Sequence, residues 1–423
     1  YPDNLDQIHC TSIFYKAINM IKKFFKKIFK LCVYLFSPLY LIIIIILSPF
    51  YKIRLGCLPS HRLGEIAIRT ELYLNSRQLP KKNQEKVIDI FTLTNVVANK
   101  THTKLIKKKI FILPDIFGFP LYVVLKFLSK KISFFKKFII ILTDKDHRDL
   151  FIQTKGQLDL DASMIQKGNE FLKKLEIDKN AKIICLIVRD NNYLKVHFPE
   201  SNWEYHNYRD CDISNYEEAV NYAIEKGYYV FHMGQNSKKY LNIKSKNYIQ
   251  YSKDYRTDFL DIYLAYKCEF CITCSTGWDF VPAYNFRKPL VWTNTMPIGD
   301  PIFLPHRFIF SPKIHYDKKR NKYLSLKEIK DLNLSFSYSS INYTDKNITL
   351  IENNSRQIKE STKEMIDTLN NEIRYSSDDE EKQKKLLKIY DELFSYKNGN
   401  HMSPFSRMSQ FYLNQNQFLI ENL

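Results

Sequence analysis

The sequence predicts an α/β protein made of two successive parallel sheets. Short apolar strands alternate with stretches of helical period from residue 52 to about residue 292, the signature of βαβ units. That rhythm pauses at a linking helix, Ala162 to Leu175, and restarts at the apolar run Ile183 to Val188. At 423 residues with 45% hydrophobic content, the chain is also too long for one ordinary core.

In the first half, strands are expected at Lys52 to Cys57, Val87 to Leu93, Ile110 to Leu113 and Phe138 to Thr143. The helices between them are Leu63 to Asn75, Val96 to Lys107 and Leu121 to Lys131. In the second half the strands are Ile183 to Val188, Tyr228 to His232, Phe270 to Thr273 and Leu290 to Trp292. Helices lie at Tyr216 to Lys226, which Gly227 ends, at Asp258 to Tyr266 and at Trp278 to Tyr284. The tail reads as helical at Ile358 to Leu369, Glu380 to Phe394 and Arg407 to Leu419. The expected divisions are an anchor over 1–51, α/β domains over 52–177 and 178–351, and a helical tail over 352–423 that packs back on them.

The chain carries a formal charge of +19, and the excess is clustered. Its richness in Lys, Asn, Ile, Tyr and Phe is the mark of an AT-rich genome, so part of that charge carries no function. From Lys22 to Lys30 there are five Lys and no acid, and from Lys100 to Lys137 ten Lys stand against Asp115 alone. Both clusters flank aliphatic or Phe-rich runs, which suits an anionic membrane surface. No helix-turn-helix, zinc finger or RNP-type aromatic signature is present, so nucleic acid is not the expected partner. The apolar run Leu31 to Tyr51 is long enough to span a bilayer, yet Pro38 and Pro49 interrupt it. A crossing and a re-entrant or interfacial hairpin both fit. A cleaved signal peptide does not, because no small-residue cleavage site follows.

Eight cysteines in this length do not make a disulfide scaffold. Cys268, Cys271 and Cys274 have the spacing of cluster ligands, but on a strand residues three apart point to opposite faces, and they read as small buried hydrophobes. The most distinctive local feature is Cys274-Ser275-Thr276-Gly277-Trp278, where a strand meets a glycine turn and a helix start. Backbone N–H groups and a helix dipole would converge there, as in phosphate-binding loops. An ordinary N-cap by Ser275 or Thr276 reads equally well.

Several stretches carry a family resemblance. Val188-Arg189-Asp190, Tyr208-Arg209-Asp210-Cys211-Asp212-Ile213-Ser214-Asn215-Tyr216 and Gly227 to Gly234 stand in one order with Tyr255 to Leu264, Cys268 to Thr273, Ser275-Thr276-Gly277, Lys288-Pro289 and Asn294. His61-Arg62-Leu63-Gly64-Glu65-Ile66-Ala67 and Thr70 to Leu74 precede them, and Met408 to Leu413 closes the series. In these segments, covering nearly everything after about residue 50, the chain resembles a family of bacterial surface-polysaccharide glycosyltransferases. That family is similar to heptosyltransferases and bacterial fucosyltransferases.

The resemblance implies the GT-B architecture, two Rossmann-like domains facing a cleft. It also implies a nucleotide-sugar donor as substrate rather than a cofactor, a glycan or lipid-linked acceptor, and an inverting reaction without a metal. Donor binding would fall to Arg189, Arg209, Ser275, Thr276, Gly277 and Asp258, the acceptor-side loop to Arg62 and Gly64, and the general base to Glu65 or His61. The family usually has histidine where this chain has Glu65, and arginine where it has His232. A cytosolic donor would place the catalytic domains on the cytoplasmic face of the cytoplasmic membrane, with the anchor returning to that side. A catalytically degenerate, membrane-tethered binding protein of the same fold is the alternative. The pairs Asp144/Asp146, Asp159/Asp161 and Asp210/Asp212 resemble a metal signature of other glycosyltransferases, but such pairs are common by chance, and no metal is expected.

Overall fold

A computed structural model of the chain describes residues 34–36, 38–79, 86–94, 96–146, 149–197, 199–200, 202–235, 237–303, 307–394, 403 and 405–421. The strands are β1 (Lys52–Leu58), β2 (Val87–Leu93), β3 (Ile183–Ile187), β4 (Tyr229–His232), β5 (Tyr248–Ile249) and β6 (Phe270–Thr273). They continue with β7 (Leu290–Thr295), β8 (Phe308–Pro312), β9 (Ile314–Asp317), β10 (Lys322–Tyr323), β11 (Ile348–Ile351) and β12 (Ser406–Met408). The longer helices are α1 (Leu63–Gln78), α2 (Lys100–Lys107), α3 (Asp115–Lys131), α4 (Ala162–Lys174), α5 (Glu217–Glu225), α6 (Asp258–Lys267), α7 (Ser355–Leu369) and α8 (Ser377–Phe394). The described residues divide into two compact units. One takes those within Tyr1–His61, Pro80–Ala98 and Ile106–Leu142, the other those within Arg62–Leu79, Asn99–Leu105 and Thr143–Leu423.

In the first unit β1 and β2 pair in parallel, and single parallel bridges, Leu55 to Ile139 and Phe91 to Ile112, extend the pair on each side. The expected strands around Ile112 and Ile139 are thus reduced to one bridge each. Arg54 and Asp89 stand directly opposite in register and form a two-pronged ion pair at 2.7 and 2.8 Å. The core joins Ile53 and Leu55 to Leu121 and Leu125 of α3, to Phe138, and to Leu41 and Ile44. The Lys22 to Lys30 cluster and the start of the apolar run lie outside the described residues. Residues 38–47 are helical, and among the described residues no helix is long and apolar enough to cross a membrane.

The second unit is built on a seven-stranded sheet in the order β5-β4-β3-β6-β7-β8-β12, with every pairing parallel. From β3 the chain winds outward through β4 and β5, then returns and winds the other way through β6, β7 and β8. The reversal between β3 and β6 is a topological switch point, where loops from the two carboxyl ends part and leave a crevice. Every residue of β3, β6 and β7 is buried, which explains the apolar run of β3 and the apolar first three residues of β6 and β7. Tyr216, Val220 and Ala223 of the α5 region and Ile358, Met365 and Ile366 of α7 pack into one core with Val230, Ile272 and Val291. β9, β10 and β11 form a separate antiparallel sheet.

Two departures from the expected pattern have physical causes. Arg407 begins no helix: Ser406, Arg407 and Met408 pair with Phe308, Ile309 and Phe310 at the sheet edge, so tertiary pairing overrides local propensity. After β6 the expected α-helix becomes a π-helical turn, Val281–Asn285, with Pro282 at its start. The segments 62–79 and 99–105 belong to the second unit through a buried polar network. Glu71 accepts from the Gln157 amide at 2.9 Å and from Asn285 Nδ2 at 3.1 Å, with Arg287 Nη1 at 3.3 Å. Burial pushes the Glu71 carboxyl up to about 7 and His102 down to about 4. The neutral His102 ring donates from Nε2 to Asn285 Oδ1 at 2.8 Å. Removing one partner of the buried Glu71–Arg287 pair would cost about 3–5 kcal/mol.

Candidate functional site

The site lies at the switch point of the second unit. β3 ends at Ile187 and runs into Val188-Arg189-Asp190, while β6 ends at Thr273 and runs into Cys274-Ser275-Thr276-Gly277. The Arg189 backbone N–H donates to Cys274 Sγ at 3.0 Å, so the two loops are joined where they diverge. A cavity of about 490 Å³ opens beside the loop after β3, lined among others by Arg189, Asp210, His232, Lys238, Lys313 and Glu352. Its size is that of a small-molecule pocket.

The Arg189 side chain is only 14% exposed, with Nε 3.3 Å from Asp210 Oδ1. Nε has only this ion-pair contact, and Nη2 has no hydrogen-bond partner among the described residues. Burial, with Arg209 adding repulsion, lowers the Arg189 pKa from its ordinary value. Other charges in the lining are already committed. Asp190 accepts from the amides of Asn192 and Lys238, Asp212 from that of Ser214, and Glu352 from that of Asp212. Lys313 is buried and donates to the Asp210 carbonyl at 2.6 Å. Besides the exposed Lys239 ammonium, 3.9 Å from Asp212, the Arg189 Nη2–H remains open, and a buried donor of that kind wants an anion with planar oxygen geometry.

Two further guanidiniums act on the same place. Arg209 Nη2 donates to His206 Nδ1 at 3.0 Å, which fixes that ring nitrogen as an acceptor. Burial, and then the charges of Arg209, Arg189 and Arg62, push His206 down to about 3. His206 is therefore neutral at ordinary pH. Arg62 is the residue before α1, whose N-terminus has no side-chain cap. Gly64, in the first turn of that helix, lies so close to Gly277 that a Cβ added at Gly64 would stand 2.9 Å from the Gly277 carbonyl oxygen. The uncapped first turn of α1 thus abuts the loop after β6, and its dipole adds to the positive field.

The loop Ser275-Thr276-Gly277 is itself closed by internal bonds. Ser275, at φ 67°, accepts from Trp292 Nε1 at 2.6 Å. The Thr276 amide donates to Asp279 Oδ2 at 3.0 Å, and Thr273 Oγ1 donates to the same oxygen at 2.6 Å. Burial holds the Asp279 carboxyl up at about 6.

The remaining expected residues are placed as follows. Glu65 accepts from Arg69 Nε at 2.7 Å, and Arg69 Nη2 reaches Asp144 Oδ2 at 3.2 Å. His61 is exposed in the first unit, Nδ1 3.3 Å from Thr94 Oγ1. Asp258 stands apart from the cavity lining: its carboxylate accepts the Lys100 amide at 2.8 Å and its carbonyl accepts Asn99 Nδ2 at 2.9 Å. Of the Asp-x-Asp residues, Asp146 accepts the Leu150 and Phe151 amides, Asp161 accepts the Met164 amide, and Asp210 faces Arg189. Among the described residues no group of three or more His, Cys, Asp or Glu is placed to hold a metal ion. Cys268, Cys271 and Cys274 are all buried. His232 is buried against the Tyr248 hydroxyl at 2.9 Å, and burial pushes it down to about 4.

No protein-family model matches the sequence, and no curated protein matches it. Among solved structures the chain is similar to the ADP-heptose lipopolysaccharide heptosyltransferase II of Escherichia coli. The identity is 12%, 58% of this chain and 86% of that chain are covered, and the TM-score is 0.35. A glycosyl transferase of family 9 from Veillonella parvula is 12% identical over 57% of this chain and 80% of its own, with a TM-score of 0.32. An iron-containing dodecameric glycosyltransferase from enterotoxigenic Escherichia coli is 11% identical over 58% of this chain and 62% of its own, with a TM-score of 0.28. At this distance function is decided by the site and not by the likeness.

Proposed function

We propose that this chain is a glycosyltransferase of the GT-B class, which takes a nucleotide-sugar donor and moves the sugar to a glycan or lipid-linked acceptor on the cytoplasmic side. One observation carries the reading: the buried Arg189 guanidinium at the switch point has an Nη2–H without a hydrogen-bond partner among the described residues, and the charge of Arg209 bears on it. Guanidinium groups of this kind suit a diphosphate, and the family resemblance of the loops supplies the sugar. In the reaction the acceptor hydroxyl gives its proton to the base as its oxygen bonds to the anomeric carbon. The bond to the diphosphate breaks with its electron pair leaving on the diphosphate oxygen, and the configuration inverts. The arginines stabilise charge that grows on the leaving group, so a metal ion is not required. Glu65 is the proposed base, with His61 the alternative. In this reading the loop after β6 shapes the site through Gly277 and Cys274, and Asp258 holds the fold rather than the donor.

The test is a thermal-shift screen of the purified full-length protein against nucleoside diphosphates and nucleotide sugars, followed by assay of transfer or hydrolysis. A bound nucleotide at one hundred times its Kd adds about 2.7 kcal/mol to native stability. Turnover should persist in excess EDTA, and Glu65→Gln should lower it by about a hundred- to ten-thousand-fold with donor affinity unchanged. Binding without turnover would favour the degenerate binding protein, and no stabilisation by any nucleotide would overturn both readings.

A further inference from the structure

The helical residues 38–47 carry the sequence Pro-Leu-Tyr-Leu followed by five Ile and a Leu, so no side of this helix is polar. Among the described residues only one face is packed against the rest of the unit. Leu41 and Ile44 are buried, with Ile45 partly so, against Leu121, Leu125 and Phe138. At 100° per residue the rest point outward: Leu39 is 56% exposed, Ile42 50%, Ile43 52% and Ile46 66%. A surface helix of a water-soluble protein presents polar residues on that side, and apolar patches of more than a few hundred Å² are rare on monomers.

The elements sharing its core continue the pattern. Phe127 of α3 is 60% exposed, and Ile132 and Phe134 just after it are 48% and 45% exposed. Interleaved with them are Lys126, Lys130, Lys131, Lys136 and Lys137, all exposed, and Lys137 Nζ lies 4.1 Å over the Phe134 ring. Asp115, at the far N-terminal end of α3, is the only acid between residues 100 and 137. Apolar and aromatic side chains bordered by cations, with the lysine stems lying along the rings, are the chemistry of an anionic lipid surface. A protein partner would need its own acidic rim around an apolar face, whereas a bilayer with anionic headgroups supplies both at once.

We propose that this face of the first unit seats in the headgroup boundary of an anionic bilayer. The outward side chains of residues 38–47 and Phe127, Ile132 and Phe134 enter the lipid, and the lysines of α3 and the turn after it lie against the phosphates. The described helical residues 38–47 rise about 15 Å, half of a hydrocarbon core of about 30 Å, and the proposed seat for them is the interface. This surface is independent of the nucleotide site, and its test needs no turnover.

The experiment is co-sedimentation of the full-length protein with vesicles of phosphatidylglycerol and phosphatidylethanolamine, and with vesicles of phosphatidylcholine alone. The protein should pellet with the anionic vesicles, and part of it should stay bound in high salt. The double variant Ile43→Asp/Ile46→Asp should lose about tenfold or more of the bound fraction. Its thermal unfolding should be unchanged, because both side chains point away from the core. Lys130→Gln/Lys131→Gln should weaken the preference for anionic vesicles several-fold. Full-length protein that stays in the supernatant would overturn the proposal. So would an Asp variant that binds like wild type, which would leave the basic Lys22 to Lys30 stretch as the whole cause. A lipid-free dimer in sedimentation velocity that Ile43→Asp dissociates would assign the face to a second copy instead.

Discussion

Two loops leave the same edge of the same sheet, and they differ in what they leave unpaired. The loop after β6 has the small residues and glycine of a phosphate loop, yet its Thr276 amide donates to Asp279 and its Ser275 Oγ accepts from Trp292 Nε1. The loop after β3 has no such signature, yet it holds a buried guanidinium with donors to spare. In the proposed reading, the loop that keeps unspent hydrogen-bonding capacity, rather than the one with the small residues of a turn, holds the ligand.

The largest effect expected from this contrast is in nucleotide affinity. Arg189→Gln removes the open donors and should weaken binding of a nucleoside diphosphate by about a hundredfold or more, in line with the loss of one buried charged partner. Thr276→Ala removes only a hydroxyl whose contact to the Asp279 amide is 3.5 Å long and should change affinity less than about threefold. Titration calorimetry on both variants reads the ratio, and the reverse order would move the site to the loop after β6.

A second expectation concerns pH. The Asp279 carboxyl is raised from 3.8 to about 6 by burial, so the folded protein holds that proton more tightly than the unfolded chain. Its contribution is therefore fully present below about pH 4 and is lost as pH rises through 6, by on the order of 2–3 kcal/mol. Asp279→Asn keeps an acceptor for Thr273 Oγ1 and the Thr276 amide but cannot ionise. Urea melts from pH 4 to 7 should show the variant losing less stability than wild type over that window. Glu71 and Glu364, each raised to about 7 by burial, contribute the same sign in both proteins, so the difference between the two curves isolates Asp279.

How much of this was legible in the sequence follows from which interactions are local. β3 and the first three residues of β6 are apolar runs because both sheet faces are covered, and they were readable as such. Arg189 was readable as a site residue because it follows the first strand of a restarting pattern. β8, β9 and β11 mix Phe and Ile with Ser, His and Thr, and neither the apolar run nor strict alternation marks them. Lys313 gave no signal, because one lysine among 64 basic residues does not announce that it will be buried. Glu71 and Asn285 meet across 214 positions, a pairing no local pattern encodes. The all-round apolar character of residues 38–47 was plain, but only packing could show that, among the described residues, just one of its faces is packed against the rest of the unit.

The smallest expected effect separates packing from ligand approach at the glycine pair. Both glycines lie where α1 meets the loop after β6, and the sequence alone suggested that Gly277 leaves room for phosphate. The geometry is unequal. A Cβ on Gly277 would meet nothing closer than the Gly64 nitrogen at 3.6 Å, an ordinary contact. A Cβ on Gly64 would stand 2.9 Å from the Gly277 carbonyl oxygen, 3.1 Å from its Cα and 3.3 Å from the Phe280 ring, and two of those three are backbone atoms that cannot turn aside. Neither glycine sits at positive φ, so backbone strain does not enter. Gly64→Ala should therefore cost about 1–2 kcal/mol through overpacking, offset only in part by the better helix propensity of alanine. Gly277→Ala should stay within about 0.5 kcal/mol of wild type. Denaturant melts of the two variants decide the matter, with nucleotide affinity measured alongside. If Gly277→Ala left stability intact but abolished nucleotide binding, phosphate would be approaching the loop after β6 directly, and the contrast between the two loops would have to be redrawn.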